Sequence, residues 1–241
     1  MTTRTWTALT VTVLLALAVL AALNVAGQDR TGQRAQEEGG EPGRFDYYTL
    51  VLSWSPSYCA GLATPAADPQ CRRNAGKPYA FVLHGLWPQY ERGYPLSCAK
   101  GPDAWVPQAV IEGMRDLMPN PKLVIHEYRR HGTCSGLDPA HYFGLARKLA
   151  ESIKVPPRFL DPGAGQLMNK ADVIAQFLSA NPTLTRDMIA VSCAGPGSRL
   201  RDVRFCFTRE GAPRRCGANE DPQRLCRSAS LHVPPLRPAP P

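Results

Sequence analysis

The chain has 241 residues, with 28 Lys and Arg against 20 Asp and Glu, a formal net charge of +8, and eight cysteines. Its cysteines are nowhere closer than ten positions apart, so no CxxC pair exists and the pattern argues against a structural zinc site. Residues 1–43 hold three arginines and four acidic groups, which leaves 25 basic against 16 acidic groups in the remainder, a net of +9 that suits a polyanionic partner.

In chain order, residues 1–26 read as a secretory signal peptide. Arg4 precedes an apolar run, and small residues gather near Ala21, Ala22 and Ala26. The run is also near the length of a membrane span, about 18–20 residues, so a retained anchor is the alternative. Residues 27–44, rich in Gly, Gln and Glu without periodicity, read as a disordered linker. Residues 45–241 then form one domain. Asp46–Trp54 predicts a buried strand ended by Ser55-Pro56-Ser57, and Tyr79–Leu86 predicts a second, stopped by Pro88. Helices are expected over Pro107–Met118 and over Leu123–His131, the latter ended by Gly132. Asp138-Pro139 is a strong helix start, and that helix runs to about Ile153. Asn169 caps another, Lys170–Ala180, stopped by Asn181-Pro182. Met188–Cys193 and Val203–Thr208 read as strands able to pair with the first two, and the proline-rich tail from about Val233 reads as irregular. Strands at both ends with helices between them predict an α+β domain with a central, largely antiparallel sheet.

Two segments concentrate reactive side chains. His84 lies in Phe81–Pro88, followed by Gly85, which permits close approach, and by Trp87, which reads either as core or as a platform for a nucleobase. In the second segment, His126, Glu127, Arg130 and His131 share a helical face about 140° wide. Glu127, one turn before His131, is placed to orient that imidazole and raise its pKa. Arg130 adds a fixed cation where a phosphate would lie. The two histidines are five apart, not the four of a zinc-binding HExxH helix. Three imidazoles, one acid and one cation suit acid–base chemistry on a phosphodiester, with no metal and no cofactor required.

The segments His84-Gly85-Leu86-Trp87-Pro88 and His126 to Cys134 resemble the two active-site signatures of the ribonuclease T2 family, secreted transferase-type endoribonucleases. Leu52-Ser53-Trp54-Ser55-Pro56 and Cys59 resemble the family's opening. Tyr128 and Arg130 depart from it, standing where the family usually has Trp and Lys. The resemblance implies that His131 takes the 2′-OH proton and His84 protonates the departing 5′-oxygen. Glu127 and Arg130 stabilise the phosphorane, and His126 binds the phosphate. The product is a 2′,3′-cyclic phosphate and then a 3′-phosphate. It also implies disulfides Cys59–Cys71, Cys98–Cys134, Cys193–Cys226 and Cys206–Cys216. RNA is the expected substrate, with weak non-specific DNA binding, a monomeric state, and no stable membrane partner once the signal is removed. The alternative from another class is a basic RNA- or polyanion-binding protein that keeps the fold without catalysis. An exported chain with an even cysteine count is expected to be disulfide-linked in the periplasm or outside the cell.

Overall fold

The structure, a computed structural model, describes residues 37–74 and 77–236. The signal-peptide reading of residues 1–26 lies outside the described residues, as does most of the linker. Six strands form the main sheet: β1 (Tyr47–Trp54), β2 (Phe81–Gln89), β3 (Gln166–Asn169), β4 (Ile189–Ala194), β5 (Arg199–Phe207) and β6 (Ser230–Val233). Their order is β2-β1-β5-β6-β3, with β4 also paired to β5. All pairings are antiparallel except a single β5–β6 bridge, Arg199 opposite His232. Three longer helices accompany the sheet: α1 (Pro121–Arg130), α2 (Pro139–Ser152) and α3 (Lys170–Ala180). The α+β expectation with a largely antiparallel sheet therefore holds.

Alternation along the strands splits the sheet into two chemically different faces. Leu50 and Leu52, with their cross-strand neighbours Leu83, Leu86, Val203 and Phe205, are fully or almost fully buried. They join Tyr142 and Phe143 of α2 and Val173 and Phe177 of α3 in one core. The opposite register positions are Thr49, Val51 and Ser53, facing Trp87, Gly85, Arg204 and Asp202. That polar face carries the site.

Helix starts follow the expected chemistry. Asn120, Asp138 and Asn169 each accept a backbone N–H of the first turn, a cap that contributes about 1 kcal/mol. Several boundaries differ from the sequence reading. β2 continues through Pro88, which pairs with Tyr48. β2 is the edge strand, so the missing proline N–H leaves no partner unsatisfied on its outer side. β4 pairs with β5 and not with β1 or β2. The predicted helix over Pro107–Met118 shortens to Gln108–Gly113. The predicted linker is ordered in its last part: Glu37–Glu38 pair with Pro95–Leu96, and the Gly43 N–H donates to the Cys134 carbonyl at 2.9 Å. Its low-complexity composition hid backbone groups that nevertheless find partners. β6 ends at Val233, where the tail is expected to become irregular, and residues 234–236 are in neither helix nor strand, although the Trp54 indole donates to the Pro234 carbonyl.

The four disulfides are Cys59–Cys71, Cys98–Cys134, Cys193–Cys226 and Cys206–Cys216. Cross-links of this kind contribute about 2–4 kcal/mol each.

Candidate active site

β2 delivers His84 by an irregularity. Val51 pairs with Gly85 and Leu52 with Leu83, so His84 is the extra residue of a β-bulge. A bulge re-aims its side chain out of the regular alternation. Leu83 and Leu86 stay in the core, while His84 and Trp87 turn to the groove on the polar face.

α1 delivers the second set. Val124 and Tyr128 enter the core, and the Tyr128 hydroxyl donates to the Leu137 carbonyl. His126 is exposed and Glu127 buried. The helix ends one residue earlier than expected. His131 is its C-cap, with φ −122° and ψ −47°. This changes the role expected of Glu127. Its carboxylate does not hydrogen-bond His131. It lies 3.4 Å from His84 Nε2 and accepts the Trp87 indole N–H at 2.7 Å. Gly85 is what admits it, because a Cβ there would stand 2.1 Å from Glu127 Oε2.

His131 stacks on the Trp87 ring at 5.0 Å and 26°, and its buried Nδ1 has no hydrogen-bond partner in the protein. His84 meets the same ring edge-on at 5.6 Å. The indole thus stands between the two imidazoles. The Arg204 guanidinium carbon lies 5.1 Å from its centroid. The expected base platform is therefore a ring already engaged by His131 and Arg204.

Arg130 is held from the loop that precedes Cys98. Its guanidinium donates to the Ser97 hydroxyl at 3.2 Å, and the Ser97 N–H donates to the Arg130 carbonyl. Ser97 adopts φ +52° to do so, a left-handed conformation uncommon for serine. The Cys98–Cys134 disulfide pins this loop to the end of α1.

Beneath the groove lies a charged network that the sequence reading did not single out. Arg204 donates to Asp202 at 2.9 Å and lies 3.9 Å from Glu220. Glu220 in turn accepts from Tyr47 and Thr49. The available signal was Asp202 and Arg204 two apart, alternating with apolar Val203 and Phe205. That period-2 pattern marks a strand with one polar face.

The environments push the two imidazoles in opposite directions. Burial works to lower the His84 pKa, but the Glu127 carboxylate, with Asp202 behind it, outweighs this and raises it above 6.5. Burial pushes His131 down to about 4. Glu127 opposes that shift, while His84, His126 and Arg130 add to it. Glu127 stays ionised: burial disfavours its charge, but His84, His131 and the Trp87 N–H hold its pKa below the ordinary value.

Two depressions meet at Trp87 and Arg204. One, of about 470 Å³, is lined by His126, Arg130, His131 and Arg224. The other, of about 410 Å³, is lined by His84, Tyr58, Arg199 and Arg201.

A groove with two imidazoles on either side of one indole, walled by guanidinium groups, has the chemistry for acid–base work on a phosphorylated substrate. A family model described as Ribonuclease T2 family matches residues 45–216. A ribonuclease of Aeromonas hydrophila is 37% identical over 190 residues, covering 73% of this chain and 78% of that protein. Ribonuclease 1 of Arabidopsis thaliana is 34% identical over 194 residues, covering 70% and 78%. Among solved structures, ribonuclease MC1 from bitter gourd seeds shares the fold with a TM-score of 0.58 at 21% identity, over 78% of this chain and 99% of that one. RNase NT in complex with 5′-AMP does so with a TM-score of 0.56 at 21% identity, over 80% and 99%. The chain belongs to the ribonuclease T2 family and is an endoribonuclease.

Proposed function

We propose that the chain is an exported endoribonuclease that cleaves single-stranded RNA by metal-independent transphosphorylation. The observation that carries the proposal is geometric: His84 and His131 flank one indole, and the Glu127 carboxylate lies against His84 while the His131 Nδ1 has no partner in the protein, an asymmetry that separates their duties. Neutral His131 removes the proton of the ribose 2′-OH, and the 2′-oxygen attacks phosphorus. The bond from phosphorus to the 5′-oxygen breaks, and protonated His84 gives its proton to that oxygen. The products are a 2′,3′-cyclic phosphate and a 5′-hydroxyl. Water then opens the cyclic phosphate to a 3′-phosphate with the two histidines exchanging roles. Nucleotide binding by a fold relative, RNase NT with 5′-AMP, is in keeping with an RNA substrate.

His126 and Arg130 hold the phosphate and its developing charge. Glu127 is a positioning residue. As a buried anion it keeps His84 charged and is ill suited to contact an anionic phosphorane directly. Trp87 positions Glu127 and His131 at once. The inactive-binder alternative has no observation in its favour, since a binder has no use for imidazoles tuned apart.

The deciding assay is cleavage of RNA and of DNA of matched sequence, with and without EDTA. RNA should be cut at the same rate in both conditions and leave cyclic or 3′-phosphate ends. DNA, lacking the nucleophile, should be bound in a salt-dependent way and left intact. Among the described residues the one grouping of three metal-capable side chains is Cys206, Cys216 and Glu220, and its cysteines are joined in a disulfide. Loss of cleavage on chelation, restored by a divalent ion, would overturn the mechanism. No helix among the described residues is long and apolar enough to cross a membrane.

Arg130 separates charge from shape. Arg130→Ala should lower kcat by about 10²–10³-fold, whereas Arg130→Lys should stay within about tenfold of the parent. Steady-state kinetics on one RNA substrate checks both, and equal losses would show that the fork and its Ser97 contact matter more than the charge.

A further inference from the structure

The groove does not end at His84. Its His84 side continues along β5 through Arg201 to Arg199. Arg199 also lines a separate cavity of about 540 Å³, walled by Tyr79, Pro196, His232 and Pro234 and floored by the Cys59–Cys71 disulfide. The two spaces share Arg199, Ser55 stands beside Ser53, and His232 is the direct cross-strand neighbour of Arg199.

The basic residues along this path form a line. Arg204, Arg201 and Arg199 all belong to β5. A second bulge lies here: Ser192 pairs with Asp202 and Cys193 with Leu200, so Arg201 is the extra residue. The bulge lets Arg201 point outward while Leu200 and Val203 stay in the core. Arg201 and Arg204 both hold Asp202. No carboxylate among the described residues pairs with Arg199. Arg199 brings a positive charge, and His232 a ring nitrogen, to the lining of a largely apolar cavity that also holds the Tyr79 ring. From Arg204 to Arg199 the partner strand advances from Ala190 to Ala194, four steps of about 3.3 Å each, roughly 13 Å, a reach beyond a single nucleotide.

We infer that this cavity is a distal nucleoside subsite, which takes a base of the RNA lying 3′ to the leaving nucleoside, with Arg199 and His232 on the phosphate that precedes it. The inference rests on the proposed mechanism, because it is His84's service to the departing 5′-oxygen that sends the 3′ part of the substrate toward this end. The chemistry fits the ligand: an aromatic and proline-lined pocket stacks a base of any identity, and a guanidinium in its lining takes the backbone charge.

The test compares a dinucleoside monophosphate with tetranucleotides extended by two residues on its 3′ side or on its 5′ side. For the parent protein, kcat/KM should rise at least about fivefold on 3′ extension, the low end of what one stacked base contributes. In Arg199→Gln and in His232→Ala the 3′-extension gain should be lost, and in His232→Ala, whose side chain lines only the distal cavity, the dinucleotide should be cleaved at the parent rate. An abasic ribose at the terminal position should abolish the gain in the parent. A gain that follows 5′ extension, that survives both substitutions, or that is kept by the abasic substrate would overturn the subsite. So would equal losses on the short and long substrates. Failure of the parent to cleave the dinucleotide at all would instead strike the mechanism on which the inference is built.

Discussion

His84→Ala and His131→Ala should each lower kcat by about 10²–10⁴-fold, with KM little changed, because a proton transfer belongs to the transition state and not to substrate binding. The double variant should lose little more than either single one, since acid and base serve one step. His126 is the internal control. It is exposed on the α1 face, at the rim of the groove. His126→Ala should act mainly on KM through a contact already made in the ground state. Single-turnover and steady-state rates on one RNA substrate check all four. Small, equal losses across the set would show that the chemistry happens elsewhere.

The second large effect is in the pH profile. His131 acts as base only when neutral, so activity should rise as pH climbs through about 4. His84 acts as acid only when protonated, so activity should fall as pH passes its pKa, which lies above 6.5. The profile is a bell over the acidic to neutral range. Glu127 raises the pKa of both imidazoles, so Glu127→Gln should move both limbs to lower pH. Glutamine keeps the shape and can still accept the Trp87 indole N–H. At pH 7 the variant should lose roughly ten- to a hundredfold in kcat/KM, and less at pH 5, where His84 regains its proton. Limbs that stay in place would remove Glu127 from any part in tuning His84. A fall that is uniform across pH would assign it to packing alone.

Much of the site was legible because its residues lie in two short runs. His84, Trp87, His126, Arg130 and His131 all line the two depressions that meet at Arg204. The capped helices were equally legible: the Lys170–Ala180 bounds follow from Asn169 and from Asn181-Pro182. What stayed hidden was set by tertiary structure. A periodic helix model carries His131 on the same face as Glu127, but the helix stops at Arg130, so the carboxylate finds a partner forty-three positions away in sequence, His84. Gln166–Asn169 and Ser230–Val233 are short, and their alternation shows only once they pair with each other. Arg204, Asp202 and Glu220 are charged groups within or beside a core strand. Their meaning depends on a neighbouring strand that local sequence does not disclose.

The bulge in β2 has a further consequence. The ladder runs from Leu83 to Gly85 as though His84 were not there, so the sheet's register owes nothing to the residue proposed to supply the proton. Folding and chemistry are read from different letters of the same strand. Substitution at Leu83 or Leu86 should act on stability, and substitution at the inserted residue on turnover. Drift at His84 would leave a sound scaffold with a silent centre, which makes this fold an easy starting point for descendants that keep the groove and abandon the reaction.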